Sequence, residues 1–69
     1  MKASNDNETA GDLLIGAGAI ARHLGLTSRQ VYRLVYDGIL PHFKLGGSVS
    51  ARRSTLTRWL DEQEHAAAA

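Results

Sequence analysis

Sixty-nine residues and 7.4 kDa hold one small domain, near the lower size at which a single core stabilises a fold unaided. Leu, Ile, Val and Phe number 16 and Cys is absent. This allows one thin core, excludes a two-lobed enzyme, disulfide staples and thiolate metal sites, and makes a reducing cytoplasm the expected location. The formal charge of +1 is unevenly spread: residues 1–12 sum to −2 and residues 61–69 to −3, whereas residues 13–60 set Arg22, Arg29, Arg33, Lys44, Arg52, Arg53 and Arg58 against Asp37 alone.

A basic centre inside an acidic frame suits a polyanionic partner, and equally a solvated cationic surface. The first eight residues lack the apolar stretch of a secretory leader. No apolar run approaches the ~20 residues of a membrane span, so no membrane association is expected.

Residues 1–12 are polar and aperiodic and read as a disordered arm. Leu13-Leu14-Ile15 is apolar and short, either a strand or a lead-in segment. A helix over Ala17–Leu24 follows, with Ile20 and Leu24 four apart and Ala21 beside them. Gly16 is its weak N-cap, Gly18 lowers its propensity, and Gly25 stops it. Thr27 and Gln30 then have the spacing of a capping box. The helix they open, over 28–37, has Val31, Leu34 and Val35 as its inner stripe. Gly38 ends it, Ile39 is a candidate hydrophobic partner for that end, and Pro41 prevents continuation.

The period then changes to two. His42-Phe43-Lys44-Leu45 and Val49-Ser50-Ala51-Arg52 flank Gly46-Gly47. A three-residue loop, Gly46-Gly47-Ser48, pairs Leu45 with Val49 and Phe43 with Ala51. One face is then apolar throughout, with Lys44, Ser50 and Arg52 together on the outer one, so this register is expected over the two-residue alternative. Ser54 is the expected cap of a last helix whose inner residues are Leu56, Trp59 and Leu60. Asp61, Glu62 and Glu64 oppose its dipole, so fraying is expected near 62–65, before an Ala-rich tail at 65–69. The domain is expected over 13–64.

Two helices joined by Gly25-Leu26-Thr27 have the spacing of a helix-turn-helix: Ala21 is small, Gly25 lies four residues later and Val31 six after that, with Ile20, Leu24, Leu26 and Leu34 in the other buried positions. An ordinary αα-hairpin needs the same packing, but not the Ser28, Arg29, Tyr32, Arg33 and Tyr36 that lie outside. Arg can bond guanine edges or phosphate, and Tyr can reach phosphate or pack on sugar. Lys44, Arg52 and Arg53 are a second basic element, suited to backbone or minor groove. The candidate DNA contacts are therefore Thr27, Ser28, Arg29, Tyr32, Arg33, Tyr36, Lys44, Ser50, Arg52 and Arg53.

The order of these pieces, above all Val31-Tyr32-Arg33-Leu34 and Gly38-Ile39-Leu40-Pro41, resembles the MerR-like/excisionase-type winged helix-turn-helix domain of small bacterial and phage proteins. The resemblance covers roughly residues 13–61. It implies a mainly α fold of three helices plus a two-stranded wing, with the helix at 28–37 in the major groove of double-stranded DNA. By the same resemblance Ser28, Arg29, Tyr32 and Arg33 contact bases or phosphates, and the role is transcriptional regulation or excisionase-like recombination in the nucleoid. The opening Gly16-Ala17-Gly18-Ala19 departs from the Thr or Ser cap and acidic first turn usual there. The long dimerisation helix and effector part of mercury-resistance-type regulators are absent, so effector sensing is not implied.

Two other classes compete. Gly16-Ala17-Gly18-Ala19-Ile20-Ala21 mimics a dinucleotide fingerprint, but the chain cannot supply the further strands that fold requires. No cofactor is expected, and His23, His42 and His65 lie on different elements without ligand spacing, so no metal is either. A protein-binding adaptor, antitoxin-like or integrase-associated, can use the same fold with its last helix or tails as the interface. It predicts weak DNA binding with little salt dependence. One monomer reads few base pairs, so a homodimer or cooperative array on DNA is a further expectation, with an integrase or other protein as a possible partner.

Overall fold

The computed structural model describes residues 11–68. The chain runs β1 (Leu13–Ile15), α1 (Ala17–Leu24), α2 (Ser28–Tyr36), β2 (Phe43–Leu45), β3 (Ser48–Arg52) and α3 (Arg53–Ala68). The apolar lead-in is a strand, and the sheet has the order β1-β3-β2 with both pairings antiparallel. The hairpin is thus joined by a third strand. Three helices and this sheet make a winged helix-turn-helix.

Local chemistry sets the helix ends. Gly25 closes α1 at φ 75, a left-handed conformation that costs glycine nothing. The Leu26 amide then reaches back to the Ala21 carbonyl at 2.9 Å, the long return bond of a Schellman motif. At the far end of α2 the Ile39 amide bonds Leu34 O at 2.9 Å. The buried residue there is Leu40, 2% exposed, whereas the expected partner Ile39 is 51% exposed.

Leu14, Ile20, Val31, Leu40, Ala51 and Leu56 lie at the centre of the core. Ile20, Val31 and Leu56 are wholly buried, so truncating any of them to Ala removes about 2–5 kcal/mol. In α3 only the first turns reach this core. Trp59 packs against it, but Leu60, expected inward, is 44% exposed.

Three expectations are corrected. First, the hairpin register pairs Phe43 with Ser50, Lys44 with Val49 and Leu45 with Ser48. The loop is the two residues Gly46 and Gly47, at φ 60 and φ 90. Positive φ at both central positions is the tight-turn geometry that matches strand twist. The apolar inner partner of Ala51 comes from β1, as Leu14, so the hairpin needs no apolar pair of its own. Second, Ser54 lies inside α3 and is not its cap. The Asp12 carboxylate accepts from the Ser54 amide at 2.9 Å and from its hydroxyl at 2.7 Å, so a residue assigned to the arm caps the last helix. Residues 1–10 lie outside the described residues. Third, α3 continues to Ala68 without breaking near 62–65. Alanine has the highest helix propensity, and this outweighs the unfavourable charges of Asp61, Glu62 and Glu64.

Candidate nucleic-acid interface

The position of α2 follows from its start. Thr27 Oγ1 accepts from the Gln30 amide at 3.1 Å, and Gln30 Oε1 accepts from the Thr27 amide at 2.9 Å. This reciprocal cap satisfies donors that a helix start leaves open. With Val31 anchored in the core, the opposite side of the helix is left to solvent. Ser28, Arg29 and Arg33 are exposed, Tyr32 is 56% exposed and Tyr36 91%.

A cleft of about 470 Å³ lies between α2 and the hairpin, lined by Arg29, Tyr32, Arg33, Val35, Tyr36, Lys44 and Val49. Arg29, Tyr32, Arg33 and Tyr36 fall at i, i+3, i+4 and i+7, one stripe of the helix, with Val35 at its edge. The wing member is there because of the observed register: Lys44 opposes Val49, so its side chain lies on the same side of the sheet as Val49, which also lines the cleft. Three cations, two phenols and no carboxylate line the cleft. Such a lining can hold a phosphate chain and present donors to base edges.

Other expected contacts are not brought to it. Lys44, Ser50 and Arg52 do not share a face, since Lys44 lies an odd number of strand steps away in register. Ser50 is wholly buried between its cross-strand neighbours Ile15 and Phe43, and its hydroxyl donates to Ser48 O at 3.2 Å, so it does not reach a ligand. Arg52 Nε meets Asp12 Oδ2 at 3.0 Å. Arg53 Nε donates to Gly11 O at 2.9 Å. Thr27 is engaged in its cap. Phe43 and Leu45, expected inward, are 41% and 44% exposed on the outer face.

The residue the sequence reading missed is Asp12. Bonds from the Ser54 hydroxyl and then from the Ser54 amide hold its carboxyl below the ordinary value near 3.8; desolvation opposes them, and the Arg52 guanidinium adds a lesser lowering. A carboxylate at a helix start also complements the dipole. The one signal for this role was its place next to an apolar run; its partners lie about 40 residues away.

The fold defines the class as a winged helix-turn-helix, with a basic, aromatic cleft between α2 and the hairpin. The model of a family of helix-turn-helix domains matches residues 16–64, and the chain belongs to that family. DNA binding is the function that such a domain suggests. No curated protein and no solved structure matches the chain. Among the described residues no helix is long and apolar enough to cross a membrane.

Proposed function

We propose that the protein is a non-catalytic binder of double-stranded DNA, with α2 in the major groove and the β2–β3 wing on the adjacent backbone or minor groove. The carrying observation is the single cleft in which Lys44 of the wing joins Arg29, Tyr32, Arg33 and Tyr36 of α2. Arg29 and Arg33 supply the bidentate forks that read guanine or grip phosphate. Lys44 supplies a point charge for backbone. The biological role is transcriptional regulation or an excisionase-like step of recombination. A footprint over a promoter supports the first, and one over a recombination attachment site the second.

The test is fluorescence anisotropy with a random duplex across a salt series. Three phosphate-neutralising cations give log K against log salt a slope of about −3. Weak binding with a slope near zero would overturn this reading in favour of the protein-binding adaptor. One observation favours that second reading: Leu13, Ile15, Phe43 and Leu45 are 37–51% exposed on the outer face of the sheet. An apolar group of this kind marks contact with protein. Light scattering of the free protein and of its DNA complex tests whether the partner is a second copy of this chain, and a monomer in both excludes that partner.

A further inference from the structure

We infer that the α2–wing cleft also takes single-stranded DNA, with successive bases stacked on Tyr32 and Tyr36 and the backbone held by Arg29, Arg33 and Lys44. The inference rests on the DNA-binding reading of that cleft and adds a second form of DNA as its ligand.

Two rings stand outside the needs of the fold. Tyr32 is 56% exposed and Tyr36 91%, and neither packs against the core. Both line the cleft together with Val35 and Val49, in a volume of about 470 Å³, which is the size that encloses a small organic ligand. A paired duplex turns base edges toward a helix in its major groove and keeps the base faces inside the stack. Contact from a tyrosine hydroxyl to phosphate uses only the tip of the side chain. An unstacked base is what offers a flat apolar face to both rings and to the two valines.

Spacing points the same way. Tyr32 and Tyr36 stand four residues apart on α2, which sets their Cβ atoms about 5–6 Å apart. Neighbouring bases in a duplex strand are separated by roughly 3.4 Å. Two bases resting on these rings are therefore drawn further apart than a paired strand holds them, as a single strand permits. Aromatic platforms beside a basic groove are a general means of holding single strands with little regard to sequence. Here Arg29 and Arg33 alternate with the tyrosines along one stripe. Lys44 joins them from the wing, and no carboxylate lines the cleft.

The experiment is fluorescence anisotropy with a labelled thymine-only oligonucleotide, which cannot pair with itself, beside the random duplex. It uses the full chain and its Tyr32→Ala, Tyr36→Ala and Tyr32→Phe variants across a salt series, with circular dichroism to confirm folding. The wild type is expected to bind the single strand with a log–log salt slope of about −2, shallower than for the duplex, because a single strand releases fewer counterions per contact. Each alanine variant is expected to weaken single-strand binding about tenfold or more with the slope unchanged. Tyr32→Phe is expected to bind as the wild type does, since stacking needs the ring and not the hydroxyl. Unlabelled duplex is expected to displace the single strand.

A single strand that does not bind overturns the inference, as do alanine variants with wild-type affinity for it. Tyr32→Phe as weak as Tyr32→Ala, or duplex and single strand bound together, overturns it equally. If the duplex still binds with a steep salt slope in any of these cases, only the single-strand activity is lost. If neither probe binds with salt dependence, the DNA-binding reading fails as well.

Discussion

Two sets of basic side chains share this small chain and are held in opposite ways. Arg29, Arg33 and Lys44 surround a cleft whose lining contains no carboxylate. Arg52 and Arg53 stand at the junction of β3 and α3, bonded to Asp12 and to the Gly11 carbonyl. In sequence the two sets look alike, and the pair Arg52-Arg53 is the densest positive charge in the chain. The difference is that one set has anionic or carbonyl partners inside the protein and the other faces a gap. Charge density locates a polyanion site only after the carboxylates near each cation are known.

The sharpest way to break this comparison is to remove cations from each set in turn. Arg29→Ala with Arg33→Ala should weaken DNA binding by about two orders of magnitude or more, since each specific Arg contact contributes about 1–3 kcal/mol. Arg52→Ala should leave the affinity nearly unchanged. Anisotropy at fixed salt, with circular dichroism to confirm folding, measures both. Equal losses would show that the Asp12 side of the molecule also meets DNA.

The next effect concerns the turn that places Lys44. At φ 90, Gly47 occupies a region where a Cβ costs about 1–2 kcal/mol. Gly47→Ala should therefore lower Tm by about 4–8 °C per kcal/mol lost. An unchanged Tm would argue against the two-residue turn and, with it, against the place of Lys44 beside α2. Smaller again is Lys44→Ala. Loss of one phosphate contact should weaken all duplexes severalfold and reduce the salt slope by about 0.9. A sequence-selective loss would assign Lys44 to base reading.

What the sequence made legible is what is local. The Thr27–Gln30 cap, the stop at Gly25 and the outward stripe of α2 depend on residues within one or two turns, and each is found where spacing places it. The hairpin register depends on a third partner. Phe43 and Leu45 look inward only while the hairpin must build its own apolar face; once Leu14 stands opposite Ala51, that requirement is gone, and the glycine pair takes the tighter turn. The exposed Phe43 and Leu45, the burial of Ser50 and the inward turn of Lys44 all follow from that one-residue change. Asp12 was illegible for a related reason. Its partners Arg52 and Ser54 become neighbours only when β1 lies beside β3, and no pattern within the first twelve residues encodes that.

The smallest expected effect on DNA binding comes from Asp12 itself, and it separates the two sets by pH. The Asp12 carboxyl titrates below its ordinary value because Ser54 and Arg52 donate to its charged form. A group whose folded value is depressed stabilises the protein fully above its unfolded value and loses that contribution as pH falls through the folded one. Asp12→Asn should therefore lower Tm at neutral pH. The gap to wild type should close as pH falls below about 3.8, reaching zero beneath the lowered folded value. At neutral pH its DNA affinity and salt slope should match those of wild type, because no cleft residue bonds Asp12. Melts of both proteins from pH 7 down to pH ~2 follow the first effect, and anisotropy the second. A Tm gap that stays constant into acid would show that Asp12 acts through shape alone. A loss of DNA affinity in Asp12→Asn below its melting temperature would show that the β3–α3 junction and the recognition surface are coupled.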